Sequence, residues 1–100
     1  MYKLVVVAGK LRGEEYTLES GENTLGRDEN CDIPFVVKGV SKKHFSATVT
    51  GDVIYIQDLG SSNGTFLNGK AITRATAKNG DKIANSIPNK TLHSYSSLIP

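Results

Sequence analysis

Apolar residues in this chain fall in short clusters rich in Val, Ile, Thr, Tyr and Phe, closed off by Gly, Asn, Asp or Ser. That is the pattern of brief β-strands joined by turns, and no segment repeats its apolar positions at helical spacing. The pattern predicts strands over residues 2–8, 14–18, 23–26, 32–35, 44–50, 53–58, 65–67, 81–84 and 90–95. Turns are expected at 10–13, 19–22, 51–52 and 79–80. Phe45, Ala47 and Val49 alternate with Ser46, Thr48 and Thr50, and Gly51-Asp52 then leads into Val53, Ile54, Tyr55 and Ile56. Alternation on both sides of a two-residue turn makes this the strongest hairpin in the chain. So many short strands without a βαβ rhythm predict an all-β fold, an antiparallel β-sandwich with its loops gathered at the ends. Residues 86–100 mix Ser, Asn and Pro with Leu92 and Ile99, which predicts a last edge strand and a loose tail. The expected division is a domain over 1–96 and a tail over 97–100.

A chain of 100 residues suits one domain, which at this size hides roughly 60–70% of its unfolded surface. Hydrophobic residues make up 38%, so the core is expected to be lean. The net charge of +2 is too small for the broad basic footprint of nucleic-acid binding, and any anion site must be local. The single Cys31 and two histidines offer neither an internal disulfide nor a zinc set, and a small buried hydrophobe is the expected role of Cys31. No metal or cofactor is expected. The apolar run over 4–8 is too short for a secretory segment or a membrane span. A cytoplasmic protein with neither nucleic acid nor membrane as partner is the expectation.

Chemistry concentrates in segment 58–69, Asp-Leu-Gly-Ser-Ser-Asn-Gly-Thr-Phe-Leu-Asn-Gly. Its two Asn-Gly pairs supply the positive φ angles of tight turns around a very short strand, so Ser62, Asn63 and Asn68 project outward. Two further polar groups stand at Gly26-Arg27 and at Ser41-Lys42-Lys43-His44. If the three loops share one end of the sandwich, a guanidinium, an ammonium, two hydroxyls and an amide converge, a donor set that matches a phosphate. Taken singly, Arg27 reads equally well as a surface cation and Ser41 as a turn residue.

Leu-Gly-Arg, Ser-x-x-His and Ser-x-Asn-Gly-Thr-x-x-Asn-Gly, in this order along nearly the whole chain, resemble the forkhead-associated (FHA) domain. The resemblance implies a non-catalytic β-sandwich that reads phosphothreonine in a protein or peptide. It implies that Arg27 and Ser41 bind the phosphate, with Lys42 adding charge, and that Ser62 also touches it. Asn63 would bond the peptide main chain, and Asn68 would either do likewise or brace its own loop. His44 would tie the loop ends together beneath the site, and Gly26, Gly64, Thr65 and Gly69 would support it. Preference for threonine over serine would come from a niche for the extra methyl, worth ~0.8 kcal/mol. Gly39 departs from the pattern, because relatives often place there a side chain that reads the peptide beyond the phosphate. Lys38, Lys42 and Lys43 would favour an acidic partner segment. The implied module can also be part of a longer, multidomain signalling chain.

A rival keeps the fold but makes recognition independent of phosphate, through a sheet face or edge to which Tyr2, Tyr55 and Tyr95 contribute. Other spellings carry less. Residues 64–70 reproduce most of a P-loop, yet Ala71 replaces the magnesium-holding hydroxyl. Asp28, Asn30 and Asp32 open like an EF-hand, but Ile33 and Gly39 occupy its glycine and glutamate positions. Ser41, His44 and Asp58 have the residue types of a hydrolase triad without a nucleophile elbow.

Overall fold

The computed structural model describes residues 2–8, 11–36, 39–84 and 95–99. Among them the chain forms eleven strands: β1 (Tyr2–Ala8), β2 (Glu15–Leu18), β3 (Gly21–Gly26), β4 (Ile33–Pro34), β5 (Phe45–Thr50), β6 (Val53–Asp58), β7 (Thr65–Leu67), β8 (Lys70–Ile72), β9 (Arg74–Ala77), β10 (Lys82–Ala84) and β11 (Tyr95–Ile99). They build two sheets, ordered β2-β1-β11-β10-β7-β8 and β4-β3-β5-β6-β9. Every pairing is antiparallel except β3 with β4, which run parallel.

The β5–β6 hairpin pairs without slippage from Thr50 opposite Val53 to Phe45 opposite Asp58. Gly51 has φ 61°, the turn geometry that keeps two twisted strands together across a two-residue link. Phe45, Ala47, Val49, Ile54 and Ile56 all point into the core, where Leu4, Leu18, Leu25, Ile33, Ala77, Ile83 and Leu98 join them. A smaller cluster of Val6, Phe35 and Val40, with Leu11 and Tyr16 against it, lies beside this core. Because Val40 belongs to that cluster, the loop after it is anchored from below.

Three expectations need revision. The tail over 97–100 is absent as far as Ile99: Ser97 pairs with Val5 and with Lys82, and Ile99 with Lys3, so β11 is an interior strand. Leu98 is fully buried, and a strand flanked on both sides is part of the domain rather than an appendage to it. The strand expected over 90–95 overlaps β11 only at Tyr95, and residues 90–94 lie outside the described residues. β8 and β9 were not expected at all. Both are short strands at the sheet edges, and their sequences, Lys-Ala-Ile and Arg-Ala-Thr-Ala, carry little intrinsic strand preference, so pairing with β7 and β6 is what makes them strands.

Candidate functional site

The link after β3 and the loop before β5 are zipped together by main-chain bonds. His44 N donates to Leu25 O (2.9 Å), Arg27 N to Ser41 O (3.0 Å) and Asp28 N to Lys42 O (3.1 Å). The approach is so close that a Cβ at Gly26 would stand 2.1 Å from Lys42 O, so this position excludes every side chain. The Arg27 side chain then leans across the joint and its Nε donates to Val40 O (3.1 Å). Anchored at Nε, the exposed guanidinium keeps its terminal nitrogens without partners among the described residues.

The third loop, between β6 and β7, is organised by Asp58. Its Oδ2 accepts from Gly60 N (3.0 Å) and Ser61 N (3.2 Å), and its Oδ1 accepts from Ser61 Oγ and from Thr65 Oγ1 (2.7 Å). Ser61 Oγ in turn accepts from Gly64 N (3.0 Å). Burial alone would raise the Asp58 carboxyl, but the hydrogen bonds from Ser61, Thr65 and Gly60 outweigh it and hold the group below its ordinary value. The sequence signal for this hub is an Asx-turn spelling, Asp58 with Gly60 and Ser61 two and three residues on.

His44 joins the loops from beneath. Fully buried, its Nδ1 accepts from Ser41 N (3.1 Å) and its Nε2 donates to Gly64 O (2.8 Å). A main-chain donor on one nitrogen and an acceptor on the other fix the neutral tautomer protonated at Nε2. Burial depresses its basicity, which the bond to Gly64 O and the charge of Asp58 only partly offset, so the imidazole sits below its ordinary value. With both nitrogens bonded to main chain, His44 does not accept from the Ser41 hydroxyl, and Asp58 makes no bond to it; the triad arrangement is absent.

Direct bonds close the site. Ser62 N donates to Ser41 Oγ (2.9 Å), and Asn63 Nδ2 donates to Gly39 O (2.8 Å). Arg27, Gly39, Val40, Ser41, Ser62 and Asn63 enclose an open cleft of about 320 Å³. Four of the expected binding residues, Arg27, Ser41, Ser62 and Asn63, are therefore brought together. The Ser41 hydroxyl has accepted one bond and keeps its proton to give, and the Ser62 hydroxyl and Asn63 Oδ1 have no partners among the described residues. Lys42 is exposed and does not line the cleft. Asn68 lies elsewhere: with φ 51° beside Gly69 at 85°, it forms the two-residue turn of the β7–β8 hairpin. Its amide donates to Asp81 Oδ1 (3.1 Å) and accepts from Lys82 N (2.9 Å). Val40 is a lining residue that the sequence did not single out, because it acts through its main-chain carbonyl; Gly39, singled out for lacking the peptide-reading side chain of relatives, lines the cleft and contributes its carbonyl.

A β-sandwich that mounts a donor-lined cleft on three loops at one end defines a recognition module, with rigid strands positioning irregular binding segments. This chain belongs to the FHA family, whose model, described as "FHA domain", matches residues 23–84. It is 31% identical, over 80% of its length, to glycogen accumulation regulator GarA of Mycolicibacterium smegmatis. It is 33% identical, over 72%, to the FHA domain-containing protein FhaB of Mycobacterium tuberculosis. The chain spans 51% and 46% of those two proteins, about half of each. Among solved structures, an FHA domain analysed for phosphothreonine-dependent interactions superposes with a TM-score of 0.83 at 27% identity, covering 99% of this chain and 95% of that one. FHA domains are phosphothreonine-peptide recognition modules in phosphorylation-dependent protein interactions.

Proposed function

We propose that this chain captures a phosphothreonine-containing segment of a protein, without catalysis, through the cleft between the β3, β5 and β6–β7 loops. The observation that carries the reading is the set of ungiven donors around one cavity: the Arg27 terminal nitrogens and the hydroxyls of Ser41 and Ser62, with no free carboxylate among the lining residues. Arg27 offers a charged two-pronged donor, held in place by Val40 O, and the hydroxyls fix the orientation of the phosphate oxygens. Asn63 is assigned to the peptide main chain. Its Nδ2 is engaged by Gly39, so the amide is suited to accept a peptide N–H at Oδ1. Lys42 contributes charge at the rim, where solvent screening keeps its share small. The bracing bonds of Asn68 favour its structural role over the binding one. Neutral His44, with no free nitrogen, supports positioning over acid-base chemistry. Buried, unpaired Cys31 is in keeping with a cytoplasmic setting.

The test is a phosphopeptide library screened by fluorescence anisotropy, followed by the best peptide in phosphorylated and unphosphorylated forms. Arg27→Ala is expected to weaken binding by about 1.5–3 kcal/mol, the worth of hydrogen bonds to a charged group, or roughly 10- to 150-fold. Equal affinity for the two peptide forms would overturn the reading. Assembly through a sheet face or edge, as the chain's function in place of phosphate reading, is not favoured, since the family's members act through phosphothreonine.

A further inference from the structure

The outer face of the sheet that holds β6 and β9 carries a second groove, which the phosphate site leaves unused. Ile54, Ile56 and Ala77 are buried in the core, so the alternation of a strand turns Tyr55, Gln57, Arg74 and Thr76 outward. All four are exposed, Tyr55 by 49%. Tyr55 stands opposite Thr76, and Gln57 opposite Arg74. These two rows, one pleat repeat or roughly 7 Å apart, wall a groove of about 410 Å³ with Ile56 and Ala75 between them. Its width suits a single side chain.

The charge around this groove is one-sided. From Leu59 to Gly80 the chain contains Lys70, Arg74 and Lys78 but no Asp or Glu. All ten Asp and Glu side chains lie within the described residues, and none pairs with Arg74, the ion pair among them being Lys3 with Glu15. The two acids that bound the stretch are engaged elsewhere, Asp58 by its loop donors and Asp81 by Asn68 Nδ2 and Lys78 N. Glu22 shares the outer face, but it stands on β3, which β5 and β6 separate from β9, a distance of about 14 Å at the usual strand spacing.

The groove also lies toward the cleft. Gln57 precedes Asp58, whose N donates to Thr73 O (2.8 Å), and Thr73 precedes Arg74. The Gln57–Arg74 row therefore stands at the end of the sheet from which the β6–β7 loop rises. Ser62 follows Gln57 by five residues, so the two are at most about 18 Å apart, a gap that roughly six extended residues span. We infer that the groove takes an acidic side chain of the same partner segment whose phosphothreonine occupies the cleft, roughly six residues away from it. The carboxylate meets the Arg74 guanidinium and the Gln57 amide, both donors to it, and its methylene stem lies against the Tyr55 ring. The inference rests on the phosphothreonine reading of the cleft. It needs no free sheet edge, because the contact is made by side chains on the face, and Arg74 with Lys78 nearby disfavours a basic segment there.

Fluorescence anisotropy on the whole chain tests this with phosphothreonine peptides that carry a Glu-Ala-Glu or a Gln-Ala-Gln end, set about two to eight residues from the phosphothreonine on either flank. On one flank, at a spacing of about six, the Glu form is expected to bind about two- to fivefold more tightly than the Gln form, the scale of an exposed ion pair. High salt should shrink the gain. Arg74→Gln should remove it while leaving the affinity of the Gln form unchanged, and Lys42→Ala should leave the gain in place. Amide NMR shifts of Gln57, Arg74 and Thr76 should follow the Glu form alone. Equal affinity of the two forms at every spacing on both flanks, a gain that survives Arg74→Gln, or one abolished by Lys42→Ala would overturn the inference while the reading of the cleft stands. Shifts of Tyr55 and Arg74 that move with protein concentration alone would give the groove to a second copy and overturn it as well. Peptides that bind alike with and without their phosphate would overturn both.

Discussion

Gly26 and Asp58 show how single residues set this site without touching a ligand. Gly26 lets two main chains pass so closely that Arg27 and Ser41 become neighbours. Gly26→Ala puts a methyl onto Lys42 O and is expected to cost about 1–3 kcal/mol of stability, as overpacking does, read as a lower urea midpoint. Asp58→Ala leaves four donors without their acceptor, of which only the Thr65 hydroxyl is buried. One full penalty of about 1–3 kcal/mol is therefore expected, together with weaker phosphopeptide binding as the Ser61–Gly64 loop loosens. Gly26-Arg27 could be read in the sequence because a motif marks it. Asp58 could not be ranked, since its importance lies in how many donors the folded loop turns toward one carboxylate.

At the level of elements, hairpin and loop do different work. Both Asn-Gly pairs read alike in the sequence, yet only Asn68-Gly69 closes a hairpin, while Asn63-Gly64 belongs to a loop held from below by Asp58 and His44. Asn68→Gly keeps the left-handed backbone but removes the bonds to Asp81 and Lys82. It should lower stability by about 1–2 kcal/mol while leaving phosphopeptide affinity within about twofold. His44 makes the loops sensitive to acid. Its basicity is depressed in the folded chain, so below the ordinary value of 6.5 the unfolded chain binds more protons than the folded one, and stability falls with pH. The contribution is complete above that value and is lost as pH falls through the folded one. Urea midpoints between about pH 7.5 and pH 5 should show this slope. A His44→Asn protein, less stable at neutral pH, should lack that part of it.

For the whole molecule, the last described strand is decisive. β11 joins β1 to β10, and Leu98 closes the core. Deleting residues 95–100 splits the six-stranded sheet, so the truncated chain should lose its cooperative urea transition and its dispersed amide NMR spectrum. By itself the sequence determined the strands with strong alternation, the all-β class and the hairpin turns, because side-chain period and turn chemistry are local properties, while Arg27, Ser41, Ser62 and Asn63 stood out as candidates only through the order of their motifs. Tertiary structure alone decided that β8 and β9 are strands, that the last strand is Tyr95–Ile99 in the interior of a sheet, which of its two roles Asn68 takes, and that Val40 lines the cleft. Those outcomes depend on pairing and on main-chain atoms that every residue carries, and contacts between segments distant in sequence leave no local pattern to read.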